Sequence, residues 1–496
     1  MDSEKIMLES SSGNRPAIIE APKKPAKNSY ALICSLLASM TSVVLGYDLA
    51  VMTGAALFIQ DDLKISDTEL EILAGIISFY SLIGSLAAGR TSDWIGRRYT
   101  MLMATTIFFT GSILMGFATN YAFLMCGRFV AGIGVGYALM IAPVYTAEIS
   151  PASARGFLAT FPEIFINVGV LSGYISNFAF SGLPEHISWR VMFLVGAIPP
   201  ILIFAGVLIV MPESPRWLVM QGRLEEAAAV LAKTSDSPEE AALRLEEIKS
   251  AAADEEHGHG KGVWRELLLR PTPVVRRIVI AAVGIHFFQQ ASGMDTVGLY
   301  SPRIFEKAGI TGRQKKLGAS VAIGFVKTLF ILVATFFLDR VGRRPLLLIS
   351  AGGMILSFLA LASTLLAIDR RGEGEKSKAA LGVSIAAVLS LMASFSIGLG
   401  PITWVYSSEI FPLRLRAQGV SLGAGTNRVI SGVLTMSFIS LYKAISISGA
   451  FFLDAGIAVI GWFFFYFFLP ETKGRSLEEM EKLFGKKEKQ EGKVEA

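Results

Sequence analysis

The chain has 496 residues, of which 52% are hydrophobic and only 18% charged, with a formal net charge of +5. A soluble globular protein carries about 25% charged residues, so the shortfall and a mean hydropathy of +0.53 argue against a water-soluble protein and for a polytopic membrane protein. The basic residues sit mainly in short loops between apolar runs, which leaves no nucleic-acid surface.

Residues 1–29 are polar, contain Pro16, Pro22 and Pro25, and read as a disordered tail. A spanning helix needs about 20 apolar residues. Segments of that kind occur at 30–57, 71–90, 99–118, 122–147, 156–180, 189–211, 274–301, 317–338, 345–368, 379–407, 417–442 and 448–469. The sequence therefore predicts an all-α membrane protein with twelve spans. Cys34 and Cys126 lie in apolar segments and are expected to be buried free thiols. His257 and His259, in "EEHGHGKG", read as part of a solvated loop rather than a metal site.

Loop charges orient the spans. Lys23, Lys24 and Lys27 precede span 1, "GRTSDWIGRR" follows span 2, Arg155 follows span 4, "LDRVGRR" follows span 8 and "LRLR" follows span 10. All fall on one side if both termini are cytoplasmic. "GRQKK" before span 8 and "DRRGEGEKSK" before span 10 break that rule.

Residues 212–273 form a charged, Ala/Glu-rich linker, expected to hold short cytoplasmic helices. Ser237-Pro238-Glu239-Glu240 has a capping-box pattern. The linker divides six-span bundles at 30–211 and 274–469, with a tail at 470–496. The halves repeat: "DWIGRR" answers "DRVGRR", "TAEISPASARG" answers "SSEIFPLRLRAQG", and "MPESPRW" answers "LPETKGR", at nearly one offset. Parallel six-span halves around a shared cavity are a transporter architecture.

Asp48, in "SVVLGYDLAVMTGAALF", lies about 18 residues into span 1, or ~27 Å at 1.5 Å per residue. Arg128, in "MCGRFVAGIGVG", lies about 8 residues from the other end of span 4, ~12 Å deep. Both fall in the outer half, so a pair is geometrically plausible. Burial raises an aspartate pKa and a nearby arginine lowers it, which suits a group that takes up and releases a proton.

"GRTSDWIGRR", "GRFVAGIGVG", "PESPRWL", "FFQQASG", "GLGPITWVYSSEIFP" and "PETKGRS" occur in one order along the chain. In this the sequence resembles the sugar porter family of the major facilitator superfamily, and within it the plant polyol/monosaccharide–proton symporters. The resemblance implies a major facilitator fold and secondary active transport of linear polyols and monosaccharides at the plasma membrane. Protons would be the coupling ion, with no other cofactor, and one chain would suffice. It matches Asp48 and Arg128 to the family's proton-coupling pair. Gln289 and Gln290 match its paired amides, Trp404 its stacking tryptophan, and Asn427 a further amide. Glu163, Asp295 and Lys327 stand where many members have neutral amides, so two acids and one base enter the substrate site as a mutually neutralising network. Arg428 is a fourth unusual charge, with no partner assigned. An inner salt-bridge gate is implied at Asp93, Arg97, Arg98, Glu148 and Arg155, and at Asp339, Arg343, Arg344, Glu409 and Arg416. An uncoupled facilitator or a non-transporting sensor are the competing readings. No phosphate-binding loop of a primary pump and no catalytic constellation occurs.

Overall fold

The computed structural model describes residues 28–151, 154–254, 265–371, 378–412, 415–473 and 484. Among the described residues there is no strand. Twelve helices there are long and apolar enough to cross a membrane. They run Ser29–Leu63, Asp67–Ile95, Arg97–Gly116, Tyr121–Ile149, Phe161–Phe180 and Glu185–Val210 in the first half. Those of the second half are Pro273–Leu299, Arg313–Leu338, Arg343–Arg370, Lys378–Ile410, Gln418–Ile445 and Ile447–Phe468.

These are spans 1 to 12, one for each expected segment, but several overshoot the apolar run. Hydropathy marks the bilayer-compatible stretch, whereas caps set the helix ends. Span 2 begins at Asp67 because Ser66 and Glu69 form a capping box. Span 4 begins after Asn120, whose side chain accepts the Phe123 amide at 2.9 Å. Span 5 starts later than expected, at Phe161, because the preceding residues form a separate turn, Arg155–Leu158.

Periodicity did not reveal the breaks. Span 1 is interrupted at Thr41, span 6 around Gly196 and Ala197, span 7 at Ser292 and Gly293, and span 10 at Gly398. Gly293 has φ +70°, a left-handed conformation open to glycine. A broken helix frees backbone groups, which is tolerated at membrane depth only where protein or a cavity satisfies them.

In the linker, short helices Pro215–Met220, Leu224–Thr234 and Pro238–Asp254 share a small core of Trp217, Leu218, Val219 and Ala227. Ser237 accepts the Glu240 amide at 3.1 Å, and the Glu240 carboxylate accepts the Asp236 amide at 2.8 Å. The linker docks on the first half. Trp217 donates to the Asp93 carbonyl at 2.9 Å, and Arg244 to that of Glu148 at 3.2 Å. His257, His259 and residues 1–27 lie outside the described residues. Cys34 is buried, but Cys126 is exposed, which corrects the expectation for it. It sits on the face of span 4 that points away from the bundle.

The halves meet where span 2 packs on span 11 and span 5 on span 8. The contacts favour the face opposite the chain ends. Glu71 bonds Ser440, and a Cβ on Gly432 would fall 2.6 Å from the Phe79 ring. Thr328 donates to the Asn167 carbonyl at 3.1 Å near mid-depth. The basic loops that broke the charge rule serve this face. Arg313 pairs with Asp61 and Glu185 of the other half, Lys316 with Glu306, and Lys307 with Asp369.

Spans 1 and 5 approach closely enough that a Cβ on Gly46 would lie 1.9 Å from the Ile166 carbonyl oxygen. Gly169 faces the Val43 carbonyl oxygen at 2.3 Å in the same way. Gly46→Ala should therefore destabilise the first half by about 1–3 kcal/mol, the usual range for overpacking. A thermal melt of the detergent-purified protein, expected to shift downward, checks this.

Candidate functional site

The Asp48–Arg128 pair forms as expected. Arg128 Nη1 donates to both Asp48 carboxylate oxygens at 2.9 Å. Its Nε donates to the Leu73 carbonyl at 3.2 Å, which ties span 4 to spans 1 and 2. Asp48 is 2% exposed and Arg128 1%. A charged side chain at mid-membrane costs about 2.5–3.5 kcal/mol on insertion scales, and each of these charges neutralises the other.

The pair lines a small cavity of about 40 Å³ together with Tyr174, Asp295, Lys327 and Ser431. A water needs roughly 10–15 Å³ of such space. The cavity therefore has room for two or three waters but not for a six-carbon polyol. It nevertheless places the spans 1 and 4 pair and the unusual charges of spans 7 and 8 on one space.

Glu163, Asp295 and Lys327 come from spans 5, 7 and 8. No direct ion pair joins any two of them among the described residues, but Glu163 feels the charges of Lys327, Asp295 and Arg428, and Arg428 those of Asp295 and Glu163. Asp295 instead accepts from Ser431 at 3.4 Å, and Lys327 Nζ lies 5.7 Å from the Phe395 ring centroid. All three are half-buried. Their spacing leaves donor and acceptor capacity for a ligand.

The amides form a connected set across spans 7, 10 and 11. Gln289 donates to the Leu399 and Gly400 carbonyls at 3.0 Å each, groups beside the span 10 break. Asn427 donates to Gln289 Oε1 at 2.6 Å, and Gln290 donates to Asn427 Oδ1 at 3.2 Å. Arg428, unassigned from sequence, donates to the same Asn427 oxygen at 3.2 and 2.6 Å. Trp404 is half-buried, edge-on to His286 at 4.9 Å. Sequence reasoning passed over His286, which is fully buried and shares a 3.3 Å bond with Ser407, while its Nδ1 has no hydrogen-bond partner among the described residues. It also passed over Asp454 in span 12. The Asp454 carboxyl lies 3.0 Å from where a Cβ on Gly293 would sit, against the span 7 break.

The repeated motifs at the basic face come together within each half. In the first, Glu148 holds Arg97 through two bonds of 3.0 and 3.1 Å, and Asp93 holds it at 3.0 Å. In the second, Glu409 holds Arg343 at 2.9 Å. Arg98 and Arg344 donate instead to backbone carbonyls, of Leu208 and Tyr466. Arg416 donates to the Phe411 carbonyl at 3.4 Å. The side chains of Arg155 and Asp339 lie outside the described residues. These pairs join residues of one half, so in this conformation they do not bridge the two halves as a gate would.

The "PES" and "PET" motifs supply partners the sequence had not assigned. Glu213 accepts the backbone amides of Arg97 and Arg98 at 2.8 and 3.2 Å, and Glu471 those of Arg343 and Arg344 at 3.0 and 2.9 Å. Ser214 donates to Glu148 at 2.5 Å, and Thr472 to Glu409 at 2.7 Å. Burial pushes the Glu213 carboxyl up, against the Ser214, Arg98 and Arg97 amides that pull it down. The signal was present in sequence, since both prolines recur at one offset with an acid and a hydroxyl beside them.

A family model described as "Sugar (and other) transporter" matches residues 34–484. The chain belongs to that family. Polyol transporter 5 of Arabidopsis thaliana is 61% identical over 481 residues, covering 95% of this chain and 89% of that protein. The solved structure of the major facilitator superfamily proton:xylose symporter XylE, bound to 6-bromo-6-deoxy-D-glucose, superposes with a TM-score of 0.77. It is 26% identical and covers 92% of this chain and all 100% of that one. An inward-open structure of the xylose transporter XylE from E. coli gives 0.75 at 25% identity, with 92% of this chain covered. The sugar-transporter assignment and the twelve-span major facilitator fold read from the motifs are therefore correct.

Glu213→Ala and Glu471→Ala in this transporter should each destabilise by about 0.5–2 kcal/mol, the usual effect of removing an N-terminal helix cap. Paired thermal melts should show losses of similar size, because the two glutamates hold equivalent backbone amides.

Proposed function

We propose that the chain is a proton-coupled symporter of linear polyols and monosaccharides in the plasma membrane, with both termini cytoplasmic. The observation that carries this reading is one cavity lined by Asp48, Arg128, Asp295 and Lys327. Proton site and substrate charges share a space, so occupation of one alters the field at the other. The basic face, with Arg97 and Arg343, is then cytoplasmic by the positive-inside rule. One chain contains both halves and the whole candidate site, which supports function as a monomer.

The cycle follows from the pair. With Asp48 ionised, Arg128 is held. A proton delivered from outside neutralises Asp48 and releases the guanidinium to other acceptors. Substrate bound across Gln289, Gln290, Asn427 and Trp404 then travels with the proton as the halves rock. Return of Asp48 to Arg128 expels the proton inside.

The substrate class follows from chemistry. A linear polyol is flexible, so binding it costs more ordering entropy than binding a rigid ring, about 0.5–1.5 kcal/mol per immobilised group by analogy with side chains. Hydrogen bonds to ions offset that, at roughly 1.5–3 kcal/mol against ~1 for neutral ones. Lys327 donates only, while ionised Glu163 and Asp295 accept only. Set apart rather than paired, they fix hydroxyls at several points along an extended chain. That a relative at 61% identity is called a polyol transporter supports the same reading.

Substrate-evoked current in voltage-clamped cells, over a panel of polyols and hexoses at two external pH values, tests the proposal. Acid-stimulated inward current with sorbitol is the expected result. Uptake without current or extracellular alkalinisation identifies a facilitator instead. Asp48→Asn should abolish acid-stimulated, concentrative uptake while exchange of pre-loaded substrate survives. Concentrative uptake that stays pH-dependent in that variant removes Asp48 from the mechanism. Glu163→Gln with Asp295→Asn and Lys327→Asn should lower sorbitol transport about ten-fold relative to glucose, the effect of one or two lost charged hydrogen bonds. An unchanged ratio in surface-expressed protein shows that these charges do not set the substrate class.

A further inference from the structure

Span 2 opens with two acids one helical turn apart, Asp67 and Glu71, which lie on one face of the helix. That face meets the second half at the outer surface. Glu71 is an acid within a span, only 2% exposed. Its two carboxylate oxygens are taken up across the half interface, one by the Ser440 backbone amide at 2.9 Å and the other by the Ser440 hydroxyl at 2.7 Å. Asp67, nearer the surface, takes Arg303 at 3.1 Å and Lys443 at 2.5 Å, both from the second half. Two acids of one turn thus grip span 11 at Ser440 and Lys443, and the loop helix after span 7 at Arg303.

We propose that Asp67 and Glu71 are the positioning residues that set the equilibrium between the outside-closed and outside-open states. Neither touches the substrate. They act through span 11, which carries Asn427 and Arg428 to the site.

The physical case rests on what separation of the halves would do. Ser440 lies inside a continuous helix, Arg416–Ile445. Its amide is fixed in space, so the Glu71 contact ends when span 2 tilts away, with no rotamer able to follow. The Asp67 contacts are charge-assisted and join three segments at one carboxylate. On opening, water takes over at each of these groups, so the latch biases the equilibrium without locking it. The basic face differs, since its principal arginine–glutamate pairs, Arg97–Glu148 and Arg343–Glu409, each stay within one half. Outward closure is therefore the step that these acids favour. The latch also accounts for basic residues on an outer surface, which the positive-inside rule disfavours.

The test is accessibility from outside, using a membrane-impermeant thiol reagent on intact cells. Ser78→Cys, in the cavity below the latch, is the reporter, in a background with Cys34→Ser and Cys126→Ser. In the unaltered latch the reporter should label slowly. Glu71→Ala and Asp67→Asn should each speed labelling about five- to thirty-fold, the change expected when an equilibrium shifts by one or two kcal/mol. Glu71→Gln should return it toward the starting rate, because an amide oxygen still accepts from the Ser440 amide and its NH₂ group donates to the hydroxyl. A residue needed only for packing would not show that rescue. Lys443→Ala removes an Asp67 contact and Ser440→Ala the hydroxyl contact to Glu71 from the other half. Both should also speed labelling, Ser440→Ala less than Glu71→Ala because the backbone amide contact stays; this guards against a misfolded Glu71→Ala. Unchanged labelling in Asp67→Asn, Lys443→Ala and Ser440→Ala overturns the proposal. The readout needs neither substrate nor a proton gradient, so its failure is distinct from failure of the symport reading.

Discussion

Water is absent from the core of a bilayer, so a buried charge must find its partners within the chain. The Asp48–Arg128 pair is one instance, with both side chains almost completely buried. Arg128 also reaches the Leu73 carbonyl, so spans 1, 2 and 4 are positioned by one guanidinium. The first half is built around this contact. It is stable enough to hold three spans in place, and reversible because one added proton removes half of its charge complementarity.

The same constraint shapes the second half differently. There a set of buried amides is satisfied in a chain from the span 10 break through Gln289 and Asn427 to Arg428. Broken helices free carbonyls at Leu399 and Gly400, and Gln289 takes both. A site so connected is rigid, and rigid amides suit hydroxyl recognition. Asp295 and Lys327 line the cavity beside it, and Glu163 and Asp295 share the field of Arg428. One half therefore carries the titrating pair and the other the amide platform, and motion of one against the other links them.

At the two membrane faces, charge has two structural uses. On the basic face, the arginine–glutamate–glutamate clusters of each half, with Ser214 or Thr472, lock helix ends to the linker and the final segment. They make each half a firm unit. On the opposite face, Arg303, Arg313 and Lys443 tie one half to the other. Firm halves with breakable links between them are the mechanical requirement for rocking.

Sequence alone determined the twelve spans, the two-fold repeat and the family. These rest on local properties, namely runs of apolar residues of bilayer length and motifs repeated at fixed spacing. It also brought Asp48 and Arg128 together, because depth along a helix follows from counting residues. Tertiary structure decided the rest. The breaks in spans 1, 6, 7 and 10 depend on what satisfies the freed backbone groups, which lies on other helices. Arg428 bonds its neighbour Asn427 and shares the field of Asp295 and Glu163, and Glu213 and Glu471 found backbone amides far along the chain, partners that no local pattern encodes. Glu163, Asp295 and Lys327 read from sequence as a mutually neutralising set of two acids and one base. Only the packing of spans 5, 7 and 8 shows that no direct ion pair joins them among the described residues and that Arg428 shares their field. Glu71 reads as one more acid near the end of a span, until span 11 places the Ser440 amide and hydroxyl on its two oxygens.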